Sequence, residues 1–183
     1  MKVAVYSGSF DPLHIGHQEI LEYLCRRFDM VYLIVSPQNP FKDPSKAESA
    51  RRRYEAACEV VARHKELNVK VDDIELHMEP PQYTVYTLDA LRKREPENTF
   101  TLVIGADNLE KILDWREAER LLTQYGLIVF PREGYDMAAK KKELLAINKR
   151  FRIKLADAPL VNVSSTEIRE GLAEGRDMSA LMM

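Results

Sequence analysis

Short apolar runs alternate with helical patterns along this chain, and this alternation constrains its fold more than any other feature. Runs of strand length lie at residues 3–6, 31–35, 69–71, 99–104, 127–130 and 151–155. The segments between them space their apolar residues as helices do, over residues 18–28, 45–64, 84–94 and 137–148. Such alternation is typical of parallel strands joined by right-handed helical crossovers. It predicts an α/β protein, with a single doubly wound, Rossmann-like parallel sheet of about six strands and helices on both faces.

Three parts of this pattern are less regular. The third run can be extended to Leu76, and Phe151 begins a sixth strand that we expect at an edge of the sheet. After the fourth run the spacing predicts two short helical pieces, around Leu109 and over residues 115–122. A last helix is expected after residue 164, where a serine three residues before a glutamate is typical of a helix start.

The composition is that of an ordinary globular protein. A chain of 183 residues, with 45% hydrophobic and 31% charged residues, is expected to form one domain spanning residues 1–183. The net charge of −2 gives no global field that would attract nucleic acid or an anionic membrane. No run approaches the ~18 apolar residues of a membrane span, and the short apolar start is not a signal peptide. A cytoplasmic location without nucleic-acid or membrane partners is expected, and a homo-oligomer is left open.

Two basic clusters, residues 51–53 and 140–142, lie in helical patterns among acids and alanines. We interpret both as solvated helix faces rather than as nucleic-acid patches, because charge runs on helices usually face water. For the first cluster a local role in holding phosphate stays open.

The segment from residue 1 to residue 17 carries the strongest chemical signal. Its apolar run ends in a turn of small residues around Gly8, and His14, Gly16 and His17 follow where a helix should begin. Such a turn directs free backbone N–H groups and the positive end of a helix dipole at one point, which suits a phosphate. The two histidines are three residues apart, so both lie on the same side of the first helical turn. This segment predicts a phosphate-binding turn.

Familiar nucleotide-binding and metal-binding motifs do not account for this turn. The chain has no Walker string, and Gly8 and Gly16 do not complete the three glycines of the dinucleotide fingerprint. A zinc site is not favoured, because His64 and His77 are isolated and no cysteine pair accompanies His14 and His17. We therefore predict no metal ligands among the side chains.

Two further groups could supply donors or positive charge to the same phosphate. Residues 164–169 place hydroxyls and Arg169 at a helix N-terminus, although an ordinary helix cap with a surface arginine is the favoured interpretation of these residues taken alone. Lys42 lies in a proline-rich loop, residues 36–44, directly after the second strand. Ligands of doubly wound sheets bind beyond the C-terminal strand ends, commonly between the first and fourth strands. Those ends are expected at Gly8 and at residues 105–107.

These residues resemble a known family. Residues 8–17, Gly-Ser-Phe-Asp-Pro-Leu-His-Ile-Gly-His, match the Gly-x-Phe-x-Pro-x-His-x-Gly-His signature of the nucleotidyltransferase superfamily, and residues 164–169 match its second signature. The segments between them, at residues 40–42, 83–88 and 105–107 and at Trp115, are similar to the bacterial nicotinate-nucleotide adenylyltransferases. The resemblance covers about residues 1 to 175.

The resemblance implies transfer of AMP from ATP to nicotinate mononucleotide, giving deamido-NAD and pyrophosphate, with Mg²⁺ and without a covalent intermediate. It implies catalytic roles for His14, His17, Lys42 and Arg169. It implies ATP binding by Gly8, Ser9, Phe10, His14, Gly16, His17, Ser164, Ser165, Thr166 and Arg169. It implies mononucleotide binding by Ser9, Phe10, Lys42, Thr84, Gly105, Asp107 and Trp115. These roles require positioning and charge stabilisation only.

One departure and several alternatives accompany this resemblance. Tyr86 stands where the family often has an aspartate. Thr84 could simply begin a helix, and Trp115 could pack in the core instead of lining the nicotinate ring. Phosphopantetheine adenylyltransferase is a rival within the superfamily, nicotinamide mononucleotide is a rival acceptor, and a sensor that binds ATP or NAD without turnover is a rival from another class.

Overall fold

The computed structural model describes residues 1–37 and 45–183 of the chain, apart from the side chains of residues 45–48. The strands are β1 (Lys2–Gly8), β2 (Met30–Val35), β3 (Val69–Asp72), β4 (Thr99–Gly105), β5 (Leu127–Phe130) and β6 (Ile153–Leu155). They form one parallel sheet in the order β3-β2-β1-β4-β5-β6. The doubly wound sheet expected from the alternation is confirmed, with β6 at an edge.

Helices cover both faces of this sheet. They are α1 (Ile15–Cys25), α2 (Ser45–Arg63), α3 (Thr84–Arg94), α4 (Ala106–Glu110), α5 (Ala118–Arg120), α6 (Met137–Ile147) and α7 (Ser165–Ala173). Shorter helical turns span Ile74–His77, Ile112–Asp114, Leu121–Tyr125 and Ser179–Leu181. No helix in the described ranges combines the length and the apolar character that crossing a bilayer requires.

Alternate side chains of β1 serve two separate cores. Val5 packs on one face of the sheet with α3, where Leu88 is fully buried, and Ala4 packs on the other face with α1, where Leu21 is fully buried. Each fully buried leucine is worth roughly 1.5–3 kcal/mol of hydrophobic stabilisation. Because both faces are covered, the strands read as continuous apolar runs.

Two predicted elements are wrong in detail. The third strand does not continue to Leu76, because the carboxylate of Asp72 accepts a hydrogen bond from the Ile74 N–H (3.0 Å) and turns the chain into a helical turn. The helix predicted over residues 115–122 begins only at Ala118, because Glu117 before it has a left-handed backbone, with φ of 50°.

The strand order places one edge of the sheet in a special position. From β1 the chain passes to β2 on one side, and β4 later pairs on the other side. The crossover helices therefore diverge beyond the C-terminal ends of β1 and β4, at Gly8 and Gly105. A crevice opens at such a switch point, and it contains the turn singled out in the sequence.

Candidate active site

Two neighbouring clefts lie at this edge of the sheet. The larger, the β1–β4 cleft, has a volume of about 420 Å³, and the smaller, the α1–β5 cleft, about 100 Å³. The β1–β4 cleft is lined by Tyr6, Ser7, Gly8, Ser9, Phe10, His17, Thr84, Leu102, Val103, Ile104, Gly105, Asn108, Trp115, Arg132 and Ser165. The α1–β5 cleft is lined by Tyr6, His14, Gly16, His17, Glu19, Ile20, Tyr23, Arg26, Phe130, Pro131, Arg132, Asp157, Ala158, Pro159, Val161 and Val163. Tyr6, His17 and Arg132 line both.

The two histidines are held by backbone N–H groups at the start of α1. His14 precedes the helix, and its Nδ1 accepts a hydrogen bond from the Gly16 N–H (3.1 Å). The Nδ1 atom of His17 accepts in turn from the His14 N–H (3.2 Å), and the two rings stack with their centres 3.7 Å apart. Because both Nδ1 atoms are acceptors, each neutral ring carries its proton on Nε2. Each histidine thus keeps an N–H donor for a ligand.

Both imidazoles are neutral at neutral pH. Burial and the nearby Arg132 lower the pKa of His14 to about 4. Burial, His14 and Arg132 lower the pKa of His17 to about 3. An anion bound at their Nε2–H groups would favour the protonated rings, because an opposite charge stabilises the charged form. Gly16 is required here, because a Cβ atom at that position would lie 2.9 Å from Cε1 of His14.

The turn between β1 and α1 is shaped by Phe10. Phe10 has a left-handed backbone, with φ of 47°, and its buried ring meets the rings of Tyr6 and His17 edge to face, at 5.2 and 5.1 Å. A Cβ atom at Gly8 would lie 3.2 Å from the Phe10 ring, so a glycine gives the aromatic ring its space. Phe10 lines the β1–β4 cleft and also fixes the position of His17.

The segment of the second signature, residues 164–169, is hydrogen-bonded to the turn between β1 and α1. The Ser165 hydroxyl donates to the Pro12 carbonyl oxygen (3.1 Å), and Arg169 Nη1 donates to the Asp11 carbonyl oxygen (2.7 Å). The helix-cap interpretation also holds, because the Ser164 Oγ accepts from the Glu167 N–H (3.1 Å). The hydroxyl oxygen of Thr166 accepts from Arg169 Nη2 (3.2 Å). Of this group Ser165 lines the β1–β4 cleft, while Arg169 stays partly exposed beside the turn.

Arg132 is a site residue that sequence reasoning missed. It follows Pro131 at the C-terminal end of β5 and lines both clefts. Its Nε lies 3.8 Å from Oδ1 of Asp107, an oxygen that is buried and has no hydrogen-bond partner among the described residues. A Cβ atom at Gly105 would lie 2.9 Å from the same Nε, so only glycine leaves room for this arginine. Its place after a strand end on the functional edge was the available signal.

The residues predicted for the mononucleotide divide into three groups. Thr84, Gly105 and Trp115 line the β1–β4 cleft. Trp115 also packs partly buried against the core, as the packing alternative predicts, and its contact with a nicotinate ring stays a prediction. Asp107 does not line that cleft and faces Arg132 instead. Lys42 lies outside the described residues.

One basic side chain was misinterpreted. Arg53 is only 5% exposed, whereas its neighbours Arg51 and Arg52 are exposed, so the solvated-face interpretation is wrong for Arg53. Its guanidinium donates to the carbonyl oxygens of Ser9 (2.6 Å) and Ser36 (3.1 Å). Arg53 therefore ties α2 to the strand ends below the site.

This arrangement is that of a nucleotide-binding transferase. It offers N–H donors and guanidinium charge at a switch point. The cytidylyltransferase-like family model matches residues 5–171. A Bacteroides fragilis protein named "Probable nicotinate-nucleotide adenylyltransferase" is 36% identical, over 97% of this chain and 85% of that protein. A Flavobacterium johnsoniae protein of the same name is 31% identical, over 100% of this chain and 92% of that protein.

Solved structures agree with the fold. Nicotinic acid mononucleotide adenylyltransferase from Plasmodium falciparum, complexed with APC, superposes with a TM-score of 0.76 at 20% identity, over 99% of this chain and 90% of that chain. The same enzyme complexed with NaAD gives 0.75 at 21% identity, over 97% and 87%. The chain belongs to the cytidylyltransferase-like family, and within it to the nicotinate-nucleotide adenylyltransferases.

Proposed function

We propose that the two clefts are the two substrate sites of an adenylyl transfer. ATP binds at the α1–β5 cleft, with its triphosphate against His14 and His17 and the rest of the molecule extending beyond the cleft's volume of about 100 Å³, and nicotinate mononucleotide occupies the β1–β4 cleft. The observation that carries this assignment is that His17 and Arg132 line both clefts. Two substrates in adjoining clefts bring their reacting atoms together at the shared wall.

The reaction needs no nucleophile from the protein. A phosphate oxygen of the mononucleotide attacks the α-phosphorus of ATP, the new P–O bond forms, the bond to the β-phosphate oxygen breaks, and pyrophosphate leaves. The Nε2–H of His17 would donate to the α-phosphoryl oxygens, and Arg132 would supply full positive charge at the same point. Fixed donors aimed at developing charge can each lower the barrier by roughly 3–4 kcal/mol.

The other predicted residues support this geometry. Ser9 and Phe10 would contact the nucleotides through the turn, and Gly8 leaves room for the ring of Phe10. Arg169 would neutralise the polyphosphate while holding the Asp11 carbonyl oxygen, and the hydroxyls of residues 164–166 lie beside it. Lys42 is retained as a catalytic candidate from the resemblance alone.

An acidic acceptor fits the start of α3. The helix begins at Thr84 beside the β1–β4 cleft, and its cap residue, Tyr83, makes no side-chain hydrogen bond to it. The first N–H groups of a helix have no partner within the helix, and the dipole favours negative charge there. We therefore propose that the carboxylate of nicotinate lies at this end, and that the amide of nicotinamide mononucleotide binds more weakly.

Magnesium enters, in this proposal, as the complex with ATP. The described residues contain no group of three or more His, Cys, Asp or Glu side chains placed to hold a metal ion. Mg²⁺ usually keeps several waters and binds substrate phosphates with one or two carboxylates. Asp107, whose Oδ1 has no hydrogen-bond partner among the described residues and faces Arg132, could supply such a carboxylate. An ion held there with ATP would neutralise triphosphate charge. Chelation should abolish transfer and leave the melting temperature of the protein unchanged.

One assay tests the proposed function. Purified protein is mixed with ATP, Mg²⁺ and, in separate reactions, nicotinate mononucleotide, nicotinamide mononucleotide or phosphopantetheine, and pyrophosphate release is followed. Release with nicotinate mononucleotide well above the other two is expected. A protein that binds ATP but releases no pyrophosphate with any acceptor would be the sensor. Exchange of labelled pyrophosphate into ATP without acceptor would show a covalent intermediate, and we expect none.

A further inference from the structure

A buried carboxylate lies under the β1–β4 cleft and takes no part in the mechanism above. Glu75 is only 4% exposed. Its two carboxylate oxygens accept hydrogen bonds from the hydroxyls of Ser36 (2.6 Å) and Thr87 (2.9 Å). A hydroxyl that donates to a carboxylate at 2.6 Å has the length of a charge-assisted bond. The geometry therefore fits an ionised Glu75, which can only accept.

The ionised carboxylate fixes the direction of the next hydrogen bond. Ser36 has one hydroxyl proton, and it uses that proton in the hydrogen bond that it donates to Glu75. The Ser7 Oγ lies 2.7 Å from the Ser36 Oγ, so the Ser7 hydroxyl is the donor in that pair. Burial raises the pKa of Glu75, and the hydrogen bonds from Ser36, Thr87 and Ser7 oppose that rise. Whether the Ser7 hydroxyl donates to Ser36 or to Glu75, its proton points into the protein and away from the cleft.

Ser7 therefore presents only oxygen lone pairs to the cleft that it lines. At neutral pH the phosphate and the carboxylate of nicotinate mononucleotide are acceptors, and its pyridinium nitrogen carries no proton. The O–H donors of that substrate are its two ribose hydroxyls. An oxygen that accepts hydrogen bonds on the wall of this cleft thus matches the ribose and no other part of nicotinate mononucleotide.

We propose that Ser7 is a specificity-determining residue that accepts a hydrogen bond from a ribose hydroxyl of the mononucleotide, and that Ser36 and Glu75 set its polarity. This inference rests on the proposed function of the cleft. Ser36 is itself anchored, because its N–H donates to the Gly8 carbonyl oxygen (2.9 Å) and its carbonyl oxygen accepts from Arg53 (3.1 Å). The Ser7 oxygen is consequently held in place before substrate arrives.

The test compares enzyme variants with substrate analogues. Wild type, Ser7→Ala and the control Thr123→Ala are assayed with nicotinate mononucleotide, its 2′-deoxy and 3′-deoxy forms, and the corresponding deoxyfluoro forms. The Thr123 hydroxyl donates to the Glu119 carbonyl oxygen (2.8 Å), and Thr123 lines neither cleft. For one ribose position the wild type should lose about tenfold in kcat/KM, through KM for the acceptor, with both the deoxy and the fluoro analogue. The fluoro analogue keeps the size of the hydroxyl but cannot donate.

Ser7→Ala should abolish this discrimination, whereas Thr123→Ala should retain it. Ser36→Ala, which leaves Ser7 in place, should weaken it. A merely structural role would lower kcat/KM equally for all acceptors and keep the tenfold ratio in Ser7→Ala, which overturns the inference. A fluoro analogue with the same kcat/KM as nicotinate mononucleotide would contradict the proposal that Ser7 accepts a hydrogen bond from the ribose. Wild-type protein that fails to use nicotinate mononucleotide at all would instead contradict the proposed function.

Discussion

The two clefts differ in the kind of hydrogen-bonding group that they offer. The α1–β5 cleft presents N–H donors from two neutral histidines, fixed by the backbone, and it lies beside Arg132. The β1–β4 cleft rests on a buried acid, Glu75, whose hydroxyl partners turn their protons away from the ligand. One cleft is suited to stabilising phosphoryl charge and the other to recognising an acceptor. The two tasks meet only at the residues that line both clefts.

Replacing His17 with alanine should have the largest effect on this division. We expect kcat to fall by roughly two to three orders of magnitude, because a fixed donor to the α-phosphoryl group is lost. Steady-state kinetics with both substrates varied measures this, with His64→Ala as the matched control, since His64 pairs with Glu66 away from the site. A variant with unchanged kcat and only a weaker affinity for ATP would assign His17 to binding alone.

Arg132→Ala should have the next largest effect, because its charge reaches both clefts. We expect kcat to fall by about ten- to a hundredfold, with KM rising for both substrates. The exposed Arg150→Ala serves as the control. Removing the arginine also removes a charge that lowers the pKa of His14 and His17, so both should become easier to protonate. A change in KM for one substrate only would place Arg132 in one cleft.

The sequence predicted the residues of the α1–β5 cleft better than those of the β1–β4 cleft. Histidines at a helix start carry their function in local spacing, and parallel strands buried on both faces leave continuous apolar runs. Glu75, Arg53 and Arg132 instead take their roles from partners distant in the chain. In sequence each is a charged residue in a turn or on a helix, where solvent exposure is the usual outcome. The left-handed Glu117 that delays a helix also follows from tertiary context.

Acid should destabilise the protein through His14 and His17, the two histidines of the α1–β5 cleft. Folding lowers their pKa from 6.5 to about 4 and about 3, so the unfolded chain binds more protons below pH 6.5. Stability from these groups is complete above pH 6.5 and declines as the pH falls towards 4. The free energy of unfolding should fall by roughly 2 kcal/mol per pH unit between pH 6 and 4.

Urea unfolding at several pH values measures this dependence. Substituting His17 with glutamine should make the slope shallower, because one of the two titrating groups is gone. Carboxylates whose pKa is lowered in the folded protein, such as that of Asp72, also make the protein less stable in acid. Their contribution to the slope is the same in the wild type and in the variant. An unchanged slope in the His17 variant would mean that folding does not lower the pKa of this ring.

The smallest effect is expected at Tyr86, the position where the family often has an aspartate. Its side chain is 38% exposed, its ring meets that of Tyr83, and its hydroxyl accepts from Arg116 Nε (3.4 Å). Tyr86 does not line the β1–β4 cleft, although the neighbouring Thr84 does. Tyr86→Asp should therefore change KM for the acceptor less than about threefold, since an exposed ion pair with Arg116 is worth only ~0–1 kcal/mol.

Tyr86→Phe, which keeps the ring and loses the hydroxyl, is the matched control for this substitution. If Tyr86→Asp altered KM for the acceptor tenfold while Tyr86→Phe did not, the added charge would be acting on the mononucleotide across the start of α3. The acceptor cleft would then extend beyond the walls seen here to the exposed face of that helix. If both variants behave like the wild type, recognition of the mononucleotide does not extend to the exposed face of α3, and an aspartate at this position would have no part in it.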